Sequence, residues 1–147
     1  MATAKLKKED MQIIRALLQD SKIPLDAIAR SLGMSPSTMA YRVKKLKEMG
    51  VIRKFTISVD WRKLGKTVEA AVLINCPPKN VDRVAKVLSS LEEVIEVHSL
   101  TGFYDLLAMV TLKDMNEYKD FLEKKLGAIP EIESFRAGIV LEDFKEE

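Results

Sequence analysis

The segment from Pro24 to Met49 constrains the fold most, because a three-residue turn separates two stretches with helical signals. Pro24 suits the first turn of a helix, which is expected to run to Leu32 and to end at Gly33. Ser35 and the proline that follows it are a strong start signal for a longer helix. A short helix, a tight turn containing glycine and a longer helix together predict a helix-turn-helix unit.

An amphipathic helix is also predicted ahead of this unit, from Glu9 to Gln19. Its apolar residues recur about one turn apart and are Ile13, Ile14, Leu17 and Leu18. In the last helix of the unit, Met39, Val43 and Leu46 share one stripe, which leaves hydroxyl and basic side chains on the other faces. The first part of the chain is therefore predicted to form a domain of three helices.

The polar faces of that last helix suit contact with DNA. Small hydroxyls and an aromatic ring near its beginning suit base edges, whereas basic side chains suit phosphates. The candidate DNA-binding residues are Ser35, Ser37, Thr38, Tyr41, Arg42, Lys45 and Arg53. Three alternatives stay open: a lysine-rich face can simply be solvated, Tyr41 can be a surface aromatic, and Arg42 can pair with an acidic residue of the first helix.

The net charge of +2 conceals two parts of opposite sign. From Met1 to Asp60 there are 12 Lys and Arg against 6 Asp and Glu, a net charge of +6, whereas Trp61 to Glu147 has 12 against 16, a net charge of −4. A basic module joined to an acidic one indicates that the basic part contacts nucleic acid and that the acidic part has a different function. Such a division also arises by chance in solvated surfaces.

The residues after the three helices divide into a connecting strand and a second domain. Strict alternation from Lys54 to Val59 predicts a half-buried strand. The predicted boundaries are a helix-turn-helix domain at 1–52, a linker strand at 53–65 and a second domain at 66–147. In the second domain, strands are expected at 67–76, 94–100, 105–112 and 132–141, and helices at 81–91 and 115–126.

The order of these elements is β-α-β-β-α-β. It predicts an α+β protein whose second domain is a ferredoxin-like sandwich, one antiparallel sheet with both helices on one face. The other face of the sheet is then bare, and its apolar residues are expected to pack on a second copy to form a homodimer. Two copies of a helix-turn-helix can read two half-sites about one helical turn apart.

Enzyme chemistry and membrane insertion have little support in the composition. The chain has one histidine and one cysteine, whereas a zinc site needs three or four such ligands and a cysteine nucleophile needs a histidine base. No catalytic residue, metal site or cofactor is predicted. No apolar run approaches the ~20 residues of a membrane span, and the first residues lack a secretory signal, so we expect a cytoplasmic protein.

Several short motifs in this order resemble the leucine-responsive/AsnC family of prokaryotic transcription regulators. They are Ile28-Ala29, Gly33-Met34-Ser35, Arg42-Val43, Leu46, Gly50-Val51-Ile52, Leu64-Gly65 and Thr101-Gly102-Phe103-Tyr104-Asp105-Leu106. The resemblance implies a DNA-binding first domain and a second domain that oligomerises and senses small molecules, usually amino acids. It also implies dimers that assemble further into tetramers, octamers or wider arrays.

The resemblance also implies an effector site beside a Gly-x-Tyr-Asp turn. The candidate effector-binding residues are Thr101, Gly102, Phe103, Tyr104, Asp105 and Gly138. Asp105 is expected to take the ammonium of an amino acid, while backbone N–H groups hold its carboxylate. The alternative is a turn with a purely structural role. Lys7 and Ala137-Gly138 depart from the family pattern, and the second departure affects expected ligand contacts.

These features predict a sequence-specific transcription regulator whose partners are double-stranded DNA and an amino-acid effector, and which lies on the nucleoid. Two other functions remain as alternatives. One is an architectural protein that wraps or bridges DNA without an effector. The other is an enzyme similar to the sirohaem decarboxylases, which resemble this family in fold. His98 is expected at the surface or an interface, with the effector site as the alternative.

Overall fold

The computed structural model describes residues 5–145. The chain divides into two compact units, of which the first ends at Ser58 and the second begins at Val59. The division falls inside the linker predicted at 53–65. None of the helices between residues 5 and 145 is both long enough and apolar enough to cross a membrane.

The first unit contains three helices: α1 (Lys8–Gln19), α2 (Leu25–Ser31) and α3 (Pro36–Glu48). All three contribute to one apolar core, whose buried members are Ile13, Leu17, Ile28, Ala29, Met39, Val43 and Leu46. The stripe predicted on α3 is therefore confirmed. The expectation for Leu18 is wrong, since this side chain is 74% exposed. Ile13 and Leu17 are buried in this core and Ile14 packs against it, whereas Leu18 lies outside it.

Local chemistry sets the ends of α3. The Oγ of Ser35 accepts a hydrogen bond from the backbone N–H of Thr38 at 3.2 Å, which is the predicted N-cap. Gly33 and Gly50 both have positive φ, 67° and 72°, in the turns before and after the helix. Glycine adopts this conformation without the steric cost that a Cβ would add, so these two turns are fixed by residue type.

The strand predicted across Lys54 to Val59 is wrong. This stretch has no regular secondary structure and takes part in none of the strand pairings within residues 5–145. It is also not half-buried, because Phe55 is 49% exposed and Ile57 is 74% exposed. Alternation describes which side chains share a face, but a strand also needs a hydrogen-bonding neighbour, and no strand in the described part of the chain fills that role here.

The second unit is the predicted ferredoxin-like sandwich. Its strands are β1 (Val68–Asn75), β2 (Val94–Ser99), β3 (Leu106–Leu112) and β4 (Ser134–Ile139). They pair antiparallel in the order β2-β3-β1-β4. The helices are α4 (Val81–Ser89) and α5 (Met115–Asp120), and α5 continues as a π-helix over Phe121–Leu126. The element order is thus confirmed; two strand ends lie where they were expected, and the others are one or two residues shorter.

Both helices cover the same face of the sheet. Along β1, buried residues alternate with half-buried ones, and the buried set packs with Val84 and Leu88 of α4 and with Phe121 of the π-helix. The other face, called the open face below, carries Leu73 opposite Leu107 and Ala71 opposite Met109. All four of these residues are only partly buried. Arg136 lies beside Leu73 and His98 beside Leu107, so the apolar rows end in charged or polar side chains.

Candidate functional site

The beginning of α3 presents a group of three hydroxyls to solvent. The Oγ of Ser35 lies 2.8 Å from the Oγ1 of Thr38 and 3.2 Å from the Oγ of Ser37. All three residues are exposed. The cap therefore joins the predicted base-contacting hydroxyls into one small polar surface at the beginning of a helix, and a major groove is wide enough to admit a helix.

Tyr41 and Lys45 form the next part of this surface. Tyr41 is 60% exposed, and the Nζ of Lys45 lies 5.7 Å from the centre of its ring. The same Nζ is 3.3 Å from Glu48 Oε2. Contacts of this kind at an exposed site are weak, so both side chains can turn toward another molecule.

Arg42 differs from its neighbours because it faces the protein. Its Nη1 lies 2.9 Å from Asp10 Oδ1 of α1, and the two side chains are only 18% and 9% exposed. Burial alone would raise the pKa of the Asp10 carboxyl. The backbone N–H of Lys7, which donates to Oδ2 at 2.8 Å, and the Arg42 guanidinium outweigh burial and hold that pKa below its usual value. The ion pair that the sequence left open is thus present, and it joins α3 to α1.

The residues just after α3 add a basic segment. Arg53 is exposed, as a phosphate contact requires. The Nζ of Lys47 lies 5.7 Å from the centre of the Phe55 ring, a contact that sequence reasoning missed. No periodic pattern relates a helical lysine to an aromatic residue beyond the helix end, so no signal in the sequence could have revealed it.

In the second unit, the Thr101–Asp105 turn is fixed to the end of β1. The Oδ2 of Asp105 accepts a hydrogen bond from the backbone N–H of Cys76 at 3.0 Å and one from Asn75 Nδ2 at 3.4 Å. The backbone N–H of Asp105 donates to Ile74 O at 2.9 Å. Gly102 has a φ of 116°, which favours glycine. Asp105 therefore holds the turn in place, which is the structural role the sequence left open.

A shallow depression of about 580 Å³, called the turn pocket below, lies beside this turn. Its lining residues come from β1, the turn and β4: Asn75, Phe103, Tyr104, Ser134, Phe135 and Arg136. Of the predicted effector-binding residues, Phe103 and Tyr104 line it. Thr101, Gly102 and Asp105 belong to the adjoining turn, and Gly138 lies on β4 outside the lining.

Sequence reasoning missed the part of the turn pocket that β1 and β4 supply. Asn75 lies opposite Ser134 in the strand pairing, although the two are 59 residues apart in the chain. Only the register of the sheet brings them together. His98 does not line the pocket; it lies on the open face with Nε2 3.0 Å from Glu96 Oε2. This is the surface position that the sequence favoured.

Two properties of the second unit bear on chemistry. Within residues 5–145, no three or more His, Cys, Asp and Glu side chains are grouped so that they could hold a metal ion. Cys76 is buried, and burial, followed by the charges of Asp105 and Glu133, raises the pKa of its thiol. A buried thiol with a raised pKa is a poor nucleophile and acts as a small apolar residue.

Comparison with known families and proteins gives each of the two units its own match. Residues 7–53 match the winged helix-turn-helix DNA-binding model, and residues 69–147 match the Lrp/AsnC ligand binding domain. The HTH-type transcriptional regulator FL11 of Pyrococcus abyssi is 39% identical over 141 residues, which cover 96% of this chain and 93% of the relative.

Solved structures have the same fold. Escherichia coli AsnC superimposes with a TM-score of 0.88 at 28% identity, covering 98% of this chain and 97% of AsnC. The transcriptional regulator NMB0573 of Neisseria meningitidis, solved as a complex with L-Met, gives a TM-score of 0.88 at 22% identity, covering 97% of this chain and 94% of the other. The named relatives are regulators, so the enzyme alternative falls, and the chain belongs to the Lrp/AsnC family of DNA-binding transcription regulators.

Proposed function

We propose that this regulator binds specific DNA sites as an oligomer and that an amino acid changes its assembly and its affinity for DNA. The observation that carries the proposal is the exposed polar face of α3, in a chain whose other unit has a ligand-sized depression. Through the exposed face of α3 the protein reads the DNA sequence. Through the depression it binds the amino acid that changes assembly and DNA affinity.

In DNA binding, α3 enters the major groove. Ser37, Thr38 and Tyr41 are exposed at its beginning and contact base edges, while Lys45 and Arg53 contact phosphates. Ser35 acts mainly through its cap, which fixes the first turn of the helix. Arg42 is engaged with Asp10, so its part is to hold the reading helix in place, and the charge it adds to the surface is secondary.

Assembly begins at the open face of the sheet. Its apolar rows are only partly buried in one chain, and packing two such faces together would remove them from water. A dimer presents two copies of α3, as needed for half-sites about one helical turn apart. Higher oligomers that cover more DNA follow from further contacts between dimers, and we expect such assemblies on the nucleoid.

The effector is proposed to bind in the turn pocket. The related fold of the Neisseria meningitidis protein was solved with L-Met, which supports an amino acid as the class of ligand. An effector controls assembly only if it binds one assembly state more tightly than another. The turn is tied to β1 through Asp105, so a ligand that contacts Phe103 and Tyr104 meets a fixed wall rather than a loose loop.

The test is footprinting on the DNA upstream of the protein's own gene, at fixed salt, with and without the twenty amino acids. A discrete footprint that changes with one amino acid is expected. A discrete footprint that no amino acid changes would refute the effector and leave an architectural regulator. Diffuse protection would refute sequence specificity. Lys45→Ala should weaken the footprint, whereas Lys119→Ala, an exposed lysine of α5, is the matched control.

A further inference from the structure

Arg136 is the one charged residue among those that line the turn pocket. It is exposed on β4, beside Leu73 of β1. Within residues 5–145, its guanidinium makes no hydrogen bond and no ion pair, whereas Arg42 and Arg83 are both paired with carboxylates. A guanidinium carries five N–H donors in a planar fork, so the pocket contains a cation whose donors are unused.

Two other polar side chains of the pocket, Asn75 and Ser134, are already engaged with one another and with the turn. Asn75 donates through Nδ2 to the carbonyl of Phe103 and to Asp105, and its Oδ1 accepts from Ser134 Oγ at 3.3 Å. The Oδ2 of Asp105 accepts from the Cys76 backbone as well. The side chains of Asn75, Ser134 and Asp105 therefore satisfy one another, whereas the charge of Arg136 has no counter-ion within residues 5–145.

The remaining lining is aromatic. Phe103 is 95% exposed at the tip of the turn, and Tyr104 and Phe135 are partly buried beside it. An aromatic ring that stands in water gains by contact with an apolar group. The favoured occupant thus has a carboxylate at one end and an apolar body that lies against Phe103.

We propose that Arg136 is the specificity residue of the turn pocket: it pairs with the carboxylate of a small ligand whose apolar body packs on Phe103. This inference rests on the proposed effector function and deepens it. From the sequence, backbone N–H groups of the turn are expected to hold the carboxylate of the ligand. Here that carboxylate contacts the side chain of Arg136 on β4. Arginine and carboxylate form two parallel hydrogen bonds, so the pair recognises the shape of the anion as well as its charge.

The experiment measures ligand affinity of the full chain by calorimetry, with three sets of probes. The first is the twenty amino acids as free acids, the second their carboxamides, and the third amine-free carboxylates such as 4-methylpentanoate and 3-phenylpropanoate. We expect at least one apolar free acid to bind and its carboxamide to bind at least about tenfold more weakly, since a charged hydrogen-bonded pair is lost.

Three variants assign that difference to one residue. Arg136→Gln should remove the preference for the acid over the carboxamide. Arg136→Lys should keep part of it, because the charge remains but the fork does not. Lys119→Gln, another exposed cation of the same unit, should leave it unchanged. The melting temperature of each variant without ligand is compared with that of the wild type, because Arg136 lies on the open face and a change in assembly must be told apart from a change in ligand contacts.

The outcomes separate this inference from the effector proposal. An acid preference that survives in Arg136→Gln overturns the role of Arg136 while an amino-acid effector stands. If only amine-free carboxylates bind, and they need Arg136, the inference holds and the amino-acid effector falls. If no free acid and no carboxylate binds the wild-type chain, both fall.

Discussion

The ion pair between Asp10 and Arg42 is expected to be a main support of the DNA-reading helix. Removing one partner of a fully buried pair costs about 3–5 kcal/mol, and an exposed pair contributes about 0–1 kcal/mol. Here the side chains are 9% and 18% exposed, close to the buried limit. Asp10→Asn keeps the volume and can still accept from Lys7, so we expect a loss of about 2 kcal/mol. Asp10→Ala also removes that cap and should cost about 1 kcal/mol more.

Hydrogen exchange of the α1 and α3 amides in the full chain measures this loss, because it reports the opening of the first unit separately from the second. Asp26→Asn is the matched control, since Asp26 is an exposed acid in the first turn of α2. Its change should stay within a few tenths of a kcal/mol. A loss below about 0.5 kcal/mol for Asp10→Asn would refute the assignment of Arg42 to a holding role.

The pH dependence of the free energy of unfolding is a second test of the same ion pair. The pKa of Asp10 is lowered in the folded chain, from an ordinary value of 3.8, so folding favours the charged carboxylate. The stabilisation is then fully present above the unfolded pKa and is lost as pH falls through the folded pKa. The stability difference between wild type and Asp10→Asn should therefore be constant near neutral pH and should shrink below about pH 3.8. A difference that persists at lower pH would mean that the charge of Asp10 is not its source.

Three further variants test other parts of the molecule. Tyr41→Ala should relax sequence preference with little change in nonspecific binding, as measured by competition between the footprinted site and random DNA; an equal loss on both would show that Tyr41 does not read bases. Lys45→Ala should weaken all DNA binding and lower the slope of log affinity against log salt by about 1, and an unchanged slope would remove Lys45 from the phosphate contacts. Lys125→Met should cost about 1–2 kcal/mol in urea unfolding, because Glu93 is buried and is bonded to Lys125 through Oε1, while its Oε2 has no hydrogen-bond partner within residues 5–145. Adding Glu93→Gln to that variant should recover most of the loss; no recovery would mean that packing of the lysine stem, not the unpaired charge, is responsible.

Local patterns were enough to place the helices and most strands. Ser35 and Gly33 act through their own backbone geometry and their nearest neighbours, so a short window of sequence contains the information. The strand expected at 67–76 likewise corresponds to β1, which ends before two consecutive prolines. The prediction failed at Lys54 to Val59, because alternation does not say whether another strand lies beside the segment.

The candidate site was predicted only where it is local. Phe103 and Tyr104 line the turn pocket as expected from their turn, but Asn75, Ser134 and Arg136 enter it through the pairing of β1 with β4. Arg42 shows the same limit on α3. Its position on the helix suggested a contact with DNA. Its orientation is instead set by an ion pair with Asp10, 32 residues away in the chain.

The sequence by itself determined the order of elements and the plan of a helix-turn-helix part followed by a sheet part, because both depend on periodicity and capping within a short stretch. Only the tertiary structure decided which charged groups are engaged and which remain available. Asp10 is engaged by Arg42, and Asp105 by the end of β1, whereas Arg136 keeps its donors free among residues 5–145. Hydrogen bonds and ion pairs depend on distances of a few ångströms between residues far apart in the chain, and these distances exist only once the strands and helices have packed.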